Sequence, residues 1–271
     1  MALDAVASWP VTTAAAALVG PHGILETAGP IDHPFYLASV TKPLTSLAVL
    51  VAVEEEAVSL DDPAEPDLLP GATLRHLLSH ASGMAPERQL RSFAPAERRV
   101  YSNVGIERAA SLVEAGTGIA FPSYLHEALV KPLGLTATTL DGSAARDGHS
   151  TVADVARVVQ ELLNPTGLLS PQTLADLRTV QYPGLRGVLP GFGPQNPNDW
   201  GLGFEIRSNK SPHWTGSLNS PATYGHFGQS GTFLWIDPEQ NLGLVALTDR
   251  DFGPWAAELW PVLSDGVLAS Y

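Results

Sequence analysis

Apolar residues along this chain fall into runs of different period, and each run predicts an element. Residues 14–30, AAAALVGPHGILETAGP, read as two short strands about a Gly-Pro turn. The stretch KPLTSLAVLVAVEEEAVSLDD begins at Lys42, is apolar on nearly every side, and turns acidic at Glu54, Glu55 and Glu56. A helix apolar all round belongs in the middle of a domain. A mainly helical region follows over residues 73–180. TLRHLLSH offers Thr73 as its cap, and YSNVGIERAASLVEAGTG stops at Gly116 or Gly118. FPSYLHEALVKPLGL is amphipathic as far as Pro132. STVADVARVVQELLNP opens with a capping-box pattern of Thr151 and Asp154, and SPQTLADLRTV places Ser170 as cap with Pro171 at the first helical position.

Residues 183–199, PGLRGVLPGFGPQNPND, carry too much proline and glycine for a regular element and are expected to form a lid over a cleft. Three strand-like runs come next: WGLGFEIR, TYGHFGQSGTFLWID and NLGLVALTD. A closing helix, PWAAELWPVLSDGVLAS, is expected to kink or divide at Pro261. This order predicts an α+β fold, an antiparallel sheet flanked by helices with an inserted, mainly helical region. The sandwich part is assigned to residues 1–60 and 200–271, and the insertion to 61–199.

Composition narrows the function classes. At 271 residues the chain suffices for one large domain or two intergrown ones. The absence of cysteine excludes disulfides, thiolate metal sites and a cysteine nucleophile. A net charge of −13 argues against nucleic acid and anionic membrane as partners. No stretch approaches the roughly 20 apolar residues of a membrane helix, and MALDAVASWP lacks the marks of a signal peptide, so a cytoplasmic protein is expected.

Lys42 is the residue out of place. It is one of three lysines, heads the longest apolar run, and follows Ser39 by three positions. Lysine is rarely buried unless paired. Pro43 fits only a first turn, so the helix starts near Ser39 or Val40, which puts Ser39 at the positive end of the macrodipole with Lys42 on the same face. Desolvation lowers a lysine pKa and makes it a partner for proton transfer. In isolation the four residues read better as a capping serine and a snorkelling lysine.

Other candidates are weaker. His76 and His80 stand four apart, but HLLSH has leucine where a zincin has glutamate and no third ligand is evident, so capping and packing are expected and no metal. There is no G-x-S-x-G elbow. Asp61-Asp62 read as a turn, and Trp200, Trp214 and Trp235 as packing residues near a cleft.

Ser39–Lys42 resembles the S-x-x-K nucleophile motif of the serine β-lactamase and penicillin-binding-protein superfamily. Tyr101-Ser102-Asn103 resembles the Y-x-N motif of the class C-related branch, which includes D-alanyl-D-alanine peptidases and family VIII-type esterases. His226-Phe227-Gly228 resembles the third motif, and residues 60–84, 130–140 and 225–249 resemble the connecting stretches in the same order. The resemblance implies a β-lactamase/DD-peptidase-like fold and an acyl-enzyme on Ser39. It implies that Lys42 helps deprotonate Ser39, and that Tyr101 is the general base, its phenolate supported by Lys42 and a protonated His226. Asn103 would orient Lys42 and substrate, and His226 and Gly228 would join it in binding or orienting the substrate. The Ser39 and Gln229 N–H groups would form the oxyanion hole.

Two features depart from that pattern: Phe227 stands where a hydroxyl residue reads a substrate carboxylate, a loss of about 1.5–3 kcal/mol, and the chain is short for class C. The expectation is a serine hydrolase, a carboxylesterase or amidase on small acyl substrates, without cofactor. A β-lactamase or D-alanyl-D-alanine carboxypeptidase is the alternative, and a non-catalytic binding protein on the same scaffold the second.

Overall fold

The structure is a computed structural model and describes residues 2–271. After a short N-terminal 3-10 helix (Ala2–Ser8), β1 (Ala14–Gly20) and β2 (Gly23–Ala28) form a hairpin, β3 (Phe35–Tyr36) follows, and α1 spans Thr41–Glu54. The middle of the chain holds α2 (Leu74–Leu78), α3 (Asn103–Thr117), α4 (Phe121–Leu125), β4 (Thr139–Leu140), β5 (Gly148–Ser150), α5 (Val152–Leu163) and α6 (Pro171–Leu177). The last third holds β6 (Gly187–Leu189), β7 (Gly193–Gln195), β8 (Glu205–Ile206), β9 (Tyr224–Gly228), β10 (Thr232–Asp237), β11 (Leu242–Thr248) and α7 (Pro254–Leu268).

Six strands form one antiparallel sheet in the order β2-β1-β11-β10-β9-β8, which joins the two ends of the chain. Both faces are covered, and the two-residue period of the strands sorts their side chains between two cores. Ala15, Ala17, Val19, Leu234, Ile236, Val245 and Leu247 face the larger core. Ala16, Leu18, Phe233, Trp235, Leu244 and Ala246 face the smaller one, against Ala256, Trp260, Leu263 and Val267 of α7. Helix α1 is buried at 11 of its 14 residues, as its uniform apolarity predicts.

Caps fall where residue chemistry places them. Thr151 accepts from the Asp154 N–H, Ser170 from the Thr173 N–H, and α3 ends at Gly118 with φ 72°. His76 completes a capping box with Thr73.

Several expectations are corrected. Residues 183–199 are not without regular structure, because β6 and β7 pair as a hairpin about Pro190–Phe192. TYGHFGQSGTFLWID is two strands, β9 and β10, folded back at Gln229–Gly231. Pro261 does not divide α7, which runs unbroken through it. Helix α5 lies within the stretch assigned to the insertion yet packs on β1 and β11, so it belongs to the sandwich. Among the described residues no helix is long and apolar enough to cross a membrane.

Candidate active site

Ser39 lies in a single 3-10 turn, Ala38–Val40, that leads into α1. Ala38 has a positive φ of 45°, a strained value for a residue with a Cβ, and such strain persists only where its surroundings enforce it. The close approach of β9 is part of that enforcement. A Cβ on Gly228 would stand 2.4 Å from the Leu37 carbonyl oxygen and 2.4 Å from the Thr232 hydroxyl oxygen. Glycine there lets the third motif press against the nucleophile turn.

Lys42 is wholly inaccessible, and its Nζ donates to Ser39 Oγ at 2.9 Å and to the Ala145 carbonyl at 2.9 Å. Its neighbours on α1 hold the same segment: Thr45 donates to the Ala144 carbonyl, and Thr41 accepts from the Gly148 N–H. No carboxylate lies within ion-pair distance of Lys42 among the described residues. Burial therefore dominates its titration and lowers it to about 7, with Glu87 opposing and Arg146 adding to the shift.

Tyr101 is held from both sides. Arg99 is buried and donates to the carbonyls of Asn198, Ser79 and Gln181. Ser102 caps α3 through the Gly105 N–H and donates to the Ala85 carbonyl. Between these anchors Tyr101 faces the same cavity as Ser39, and its ring centroid lies 4.7 Å from Lys42 Nζ. Burial pushes the phenol well above its usual range, and the nearby Ser39 hydroxyl opposes the shift only in part.

His226 donates from Nδ1 to the Phe227 carbonyl at 2.7 Å, which fixes the neutral tautomer with Nε2 as acceptor. Burial, and then the Lys42 charge, lower it to about 3. The expectation of a protonated His226 is thus corrected. The expected pairing of Asn103 with Lys42 is corrected too: the Asn103 Nδ2 donates to Glu87 Oε1, while the second partner of Lys42 is Ala145.

Ser39, Tyr101, Asn103, His226 and Gln229 all line one cavity of about 190 Å³, so the residues proposed from the sequence converge. Trp200 is another wall, edge-on to His80 and His226. Leu189 and Pro190 of the β6–β7 hairpin form a further side. Phe227 borders the cavity, but its ring packs with Phe252 at 5.0 Å and Trp260 at 5.9 Å in the smaller core. Trp214 and Trp235 are packing residues of that core, whereas Trp200 belongs to the cleft.

Sequence reasoning missed Glu205. This buried carboxylate lines the cavity and accepts from Lys210 Nζ at 2.7 Å, His213 Nε2 at 2.9 Å and Trp214 Nε1 at 2.5 Å. Burial alone would raise its carboxyl, but Lys210 and His213 outweigh burial and hold it well below the usual range. The signal was available, since Lys210 is another of only three lysines and stands close in sequence to His213 and Trp214. His76 caps α2, and His80 accepts the Ser102 N–H under Tyr101.

A sequence profile of the family described as Beta-lactamase matches residues 24–265. A crystal structure of a beta-lactamase from Mycobacterium bovis superposes with a TM-score of 0.98 at 54% identity, covering 100% of this chain and 99% of that one. An Escherichia coli K12 protein named "Putative D-alanyl-D-alanine carboxypeptidase" is 27% identical over 251 residues, which is 72% of this chain and 55% of the relative. The chain thus spans about half the length of the curated relatives it matches. EstCE1, a hydrolase with promiscuous acyltransferase activity, shares the fold with a TM-score of 0.81 at 17% identity over 98% of this chain and 96% of its own.

Proposed function

Since this chain belongs to the β-lactamase family of serine hydrolases, we propose that it is a carboxylesterase that forms an acyl-enzyme on Ser39 and prefers small, neutral acyl substrates. The observation that carries the chemistry is the unpaired, buried Lys42 in hydrogen-bond contact with Ser39. An amine that titrates near 7 holds a lone pair at neutral pH, whereas the buried Tyr101 phenol keeps its proton. Lys42 therefore takes the Ser39 proton as Oγ attacks the ester carbonyl. The oxyanion falls to the Ser39 and Gln229 N–H groups. Tyr101 donates its proton to the departing alkoxide and regains one from the Lys42 ammonium. Water then attacks the acyl-enzyme, gives up its proton by the same route, and releases the acid and free Ser39.

The preference for neutral esters rests on what lines the cavity. No lysine or arginine lines it, Phe227 offers no hydroxyl, and Glu205 contributes a carboxylate. A substrate carboxylate would meet no cation on that wall among the described residues and no hydroxyl at position 227. Slow β-lactam hydrolysis is the second reading, favoured by the 54% identity to a protein described as a beta-lactamase.

The test is a panel of neutral esters against nitrocefin and a D-Ala-D-Ala peptide, with intact mass recorded after each and after a fluorophosphonate. Efficient ester turnover with a fluorophosphonate adduct on Ser39 supports the proposal. Efficient turnover of the peptide or nitrocefin with idle esters would overturn it in favour of the alternative.

A further inference from the structure

Beyond Tyr101 the cleft continues. A second cavity of about 510 Å³ shares Tyr101 and Pro190 with the first, and its other walls include Pro86, Phe93, Val100 and Val188. Its two sides come from distant parts of the chain and are tied together. Arg99 donates its N–H to the Arg186 carbonyl and pairs with Gly187 at the start of β6, where a Cβ would stand 2.7 Å from the Arg99 Cβ. The Arg99 guanidinium turns its donors to the backbone carbonyls of Asn198, Ser79 and Gln181. The Arg98 guanidinium lies 4.9 Å from the Phe93 ring centroid and so adds to the wall. The result is a preformed, mainly apolar groove that opens on the phenol side of Ser39. His226 and Gln229 do not border it.

Position relative to Tyr101 decides which arm of an ester reaches the groove. In the proposed reaction the leaving oxygen must sit within hydrogen-bond distance of the Tyr101 hydroxyl, so the chain attached to that oxygen leaves the first cavity past the Tyr101 ring. The acyl arm stays between the His226 strand and Trp200. We propose that the groove bounded by Phe93, Val100 and Val188 is the alcohol-arm subsite, and that it selects esters of extended apolar alcohols over esters of extended acids. The inference rests on the esterase reading and deepens it.

Each buried methylene of a chain in such a groove is worth roughly a factor of three to four in kcat/KM, so two or three of them give about tenfold or more. Two ester series separate the arms: acetates of alcohols from ethyl to octyl, and ethyl esters of acids from acetyl to octanoyl. The expected result is a kcat/KM that climbs at least tenfold along the alcohol series and much less along the acid series. Val188→Asp puts a charge into one wall and Phe93→Ser removes apolar surface from the other. Either variant lowers the octyl-to-ethyl ratio of the acetates, chiefly through KM, and leaves the ratio of the acid series in place. A flat alcohol series, a steeper acid series, or an octyl-to-ethyl ratio untouched in both variants overturns the subsite while the esterase reading stands. Absence of Ser39-dependent turnover of any ester would overturn both.

Discussion

Two lysines of this protein are buried, a few residues from one cavity, and they do opposite things. Lys42 meets a hydroxyl and one carbonyl and has no carboxylate partner, so burial brings it down to about 7. Lys210 meets the Glu205 carboxylate at 2.7 Å together with the carbonyls of Asp199 and Ile206, and Glu205 opposes the effect of burial on it. The first is left with a proton it can exchange, and the second is locked as half of an ion pair. Burial alone does not make a lysine reactive; burial without a counter-charge does. The remaining lysine, Lys131, is exposed and pairs with Glu127 one helical turn away.

The comparison breaks most visibly in activity. Ser39→Ala should cost at least about 10³-fold in ester hydrolysis, and Lys42→Met roughly 10²–10⁴-fold, measured as kcat/KM on one ester. Folding should survive both changes. At pH 6 Lys42→Met should be the more stable protein by up to about 5 kcal/mol in chemical denaturation, because a depressed lysine pKa is an energetic penalty on the folded state. The sign follows from the shift. Between about 7 and the ordinary value of 10.5 the unfolded chain holds the proton and the folded chain does not. The penalty is therefore complete below about pH 7 and fades as pH rises toward 10.5.

Lys210→Met should do the reverse. It strands the buried Glu205 charge and costs about 3–5 kcal/mol of stability in the same denaturation measurement. Ser39 chemistry in the folded fraction should persist. The double change Glu205→Leu with Lys210→Met removes both charges and should recover most of that loss, and failure to recover would mean that the cluster stabilises the fold by more than charge balance.

A third outcome concerns pH. Below about pH 7 the Lys42 amine becomes an ammonium, so kcat/KM should fall about tenfold per pH unit, and His226, which titrates near 3, should add no inflection between pH 5 and 8. An inflection that disappears in His226→Gln would show that the imidazole carries charge in the free enzyme. The smallest expected effect comes from Gly228→Ala. Its added Cβ pushes β9 off the nucleophile turn and should lower kcat by about tenfold, with a loss of about 1–3 kcal/mol in stability.

What could be read in advance was local. The uniformly apolar α1, the caps at Thr73, Thr151 and Ser170, and the stop at Gly118 follow from hydrogen-bonding and conformational preferences that act within a few residues. Ser39 and Lys42 were legible for the same reason, since three helical positions bring them together whatever else the chain does. Tyr101, Asn103 and His226 were legible as an ordered set of motifs. Nothing in their spacing along the chain gives the 4.7 Å between Lys42 and the Tyr101 ring.

Tertiary structure decided the charge states and the substrate-facing surface. Whether a lysine is paired depends on which distant carboxylate the fold brings to it, and local pattern gives no account of that. Glu205 reaches the cavity because β8 pairs with β9, and His226 is neutral because the fold buries it beside Lys42. Phe227 becomes part of the smaller core because the strand turns its ring toward Phe252 and Trp260. The sequence by itself determined which groups are available for chemistry, through short-range geometry. Only the folded chain determined their protonation and their neighbours, because desolvation and Coulomb interaction depend on distances in space.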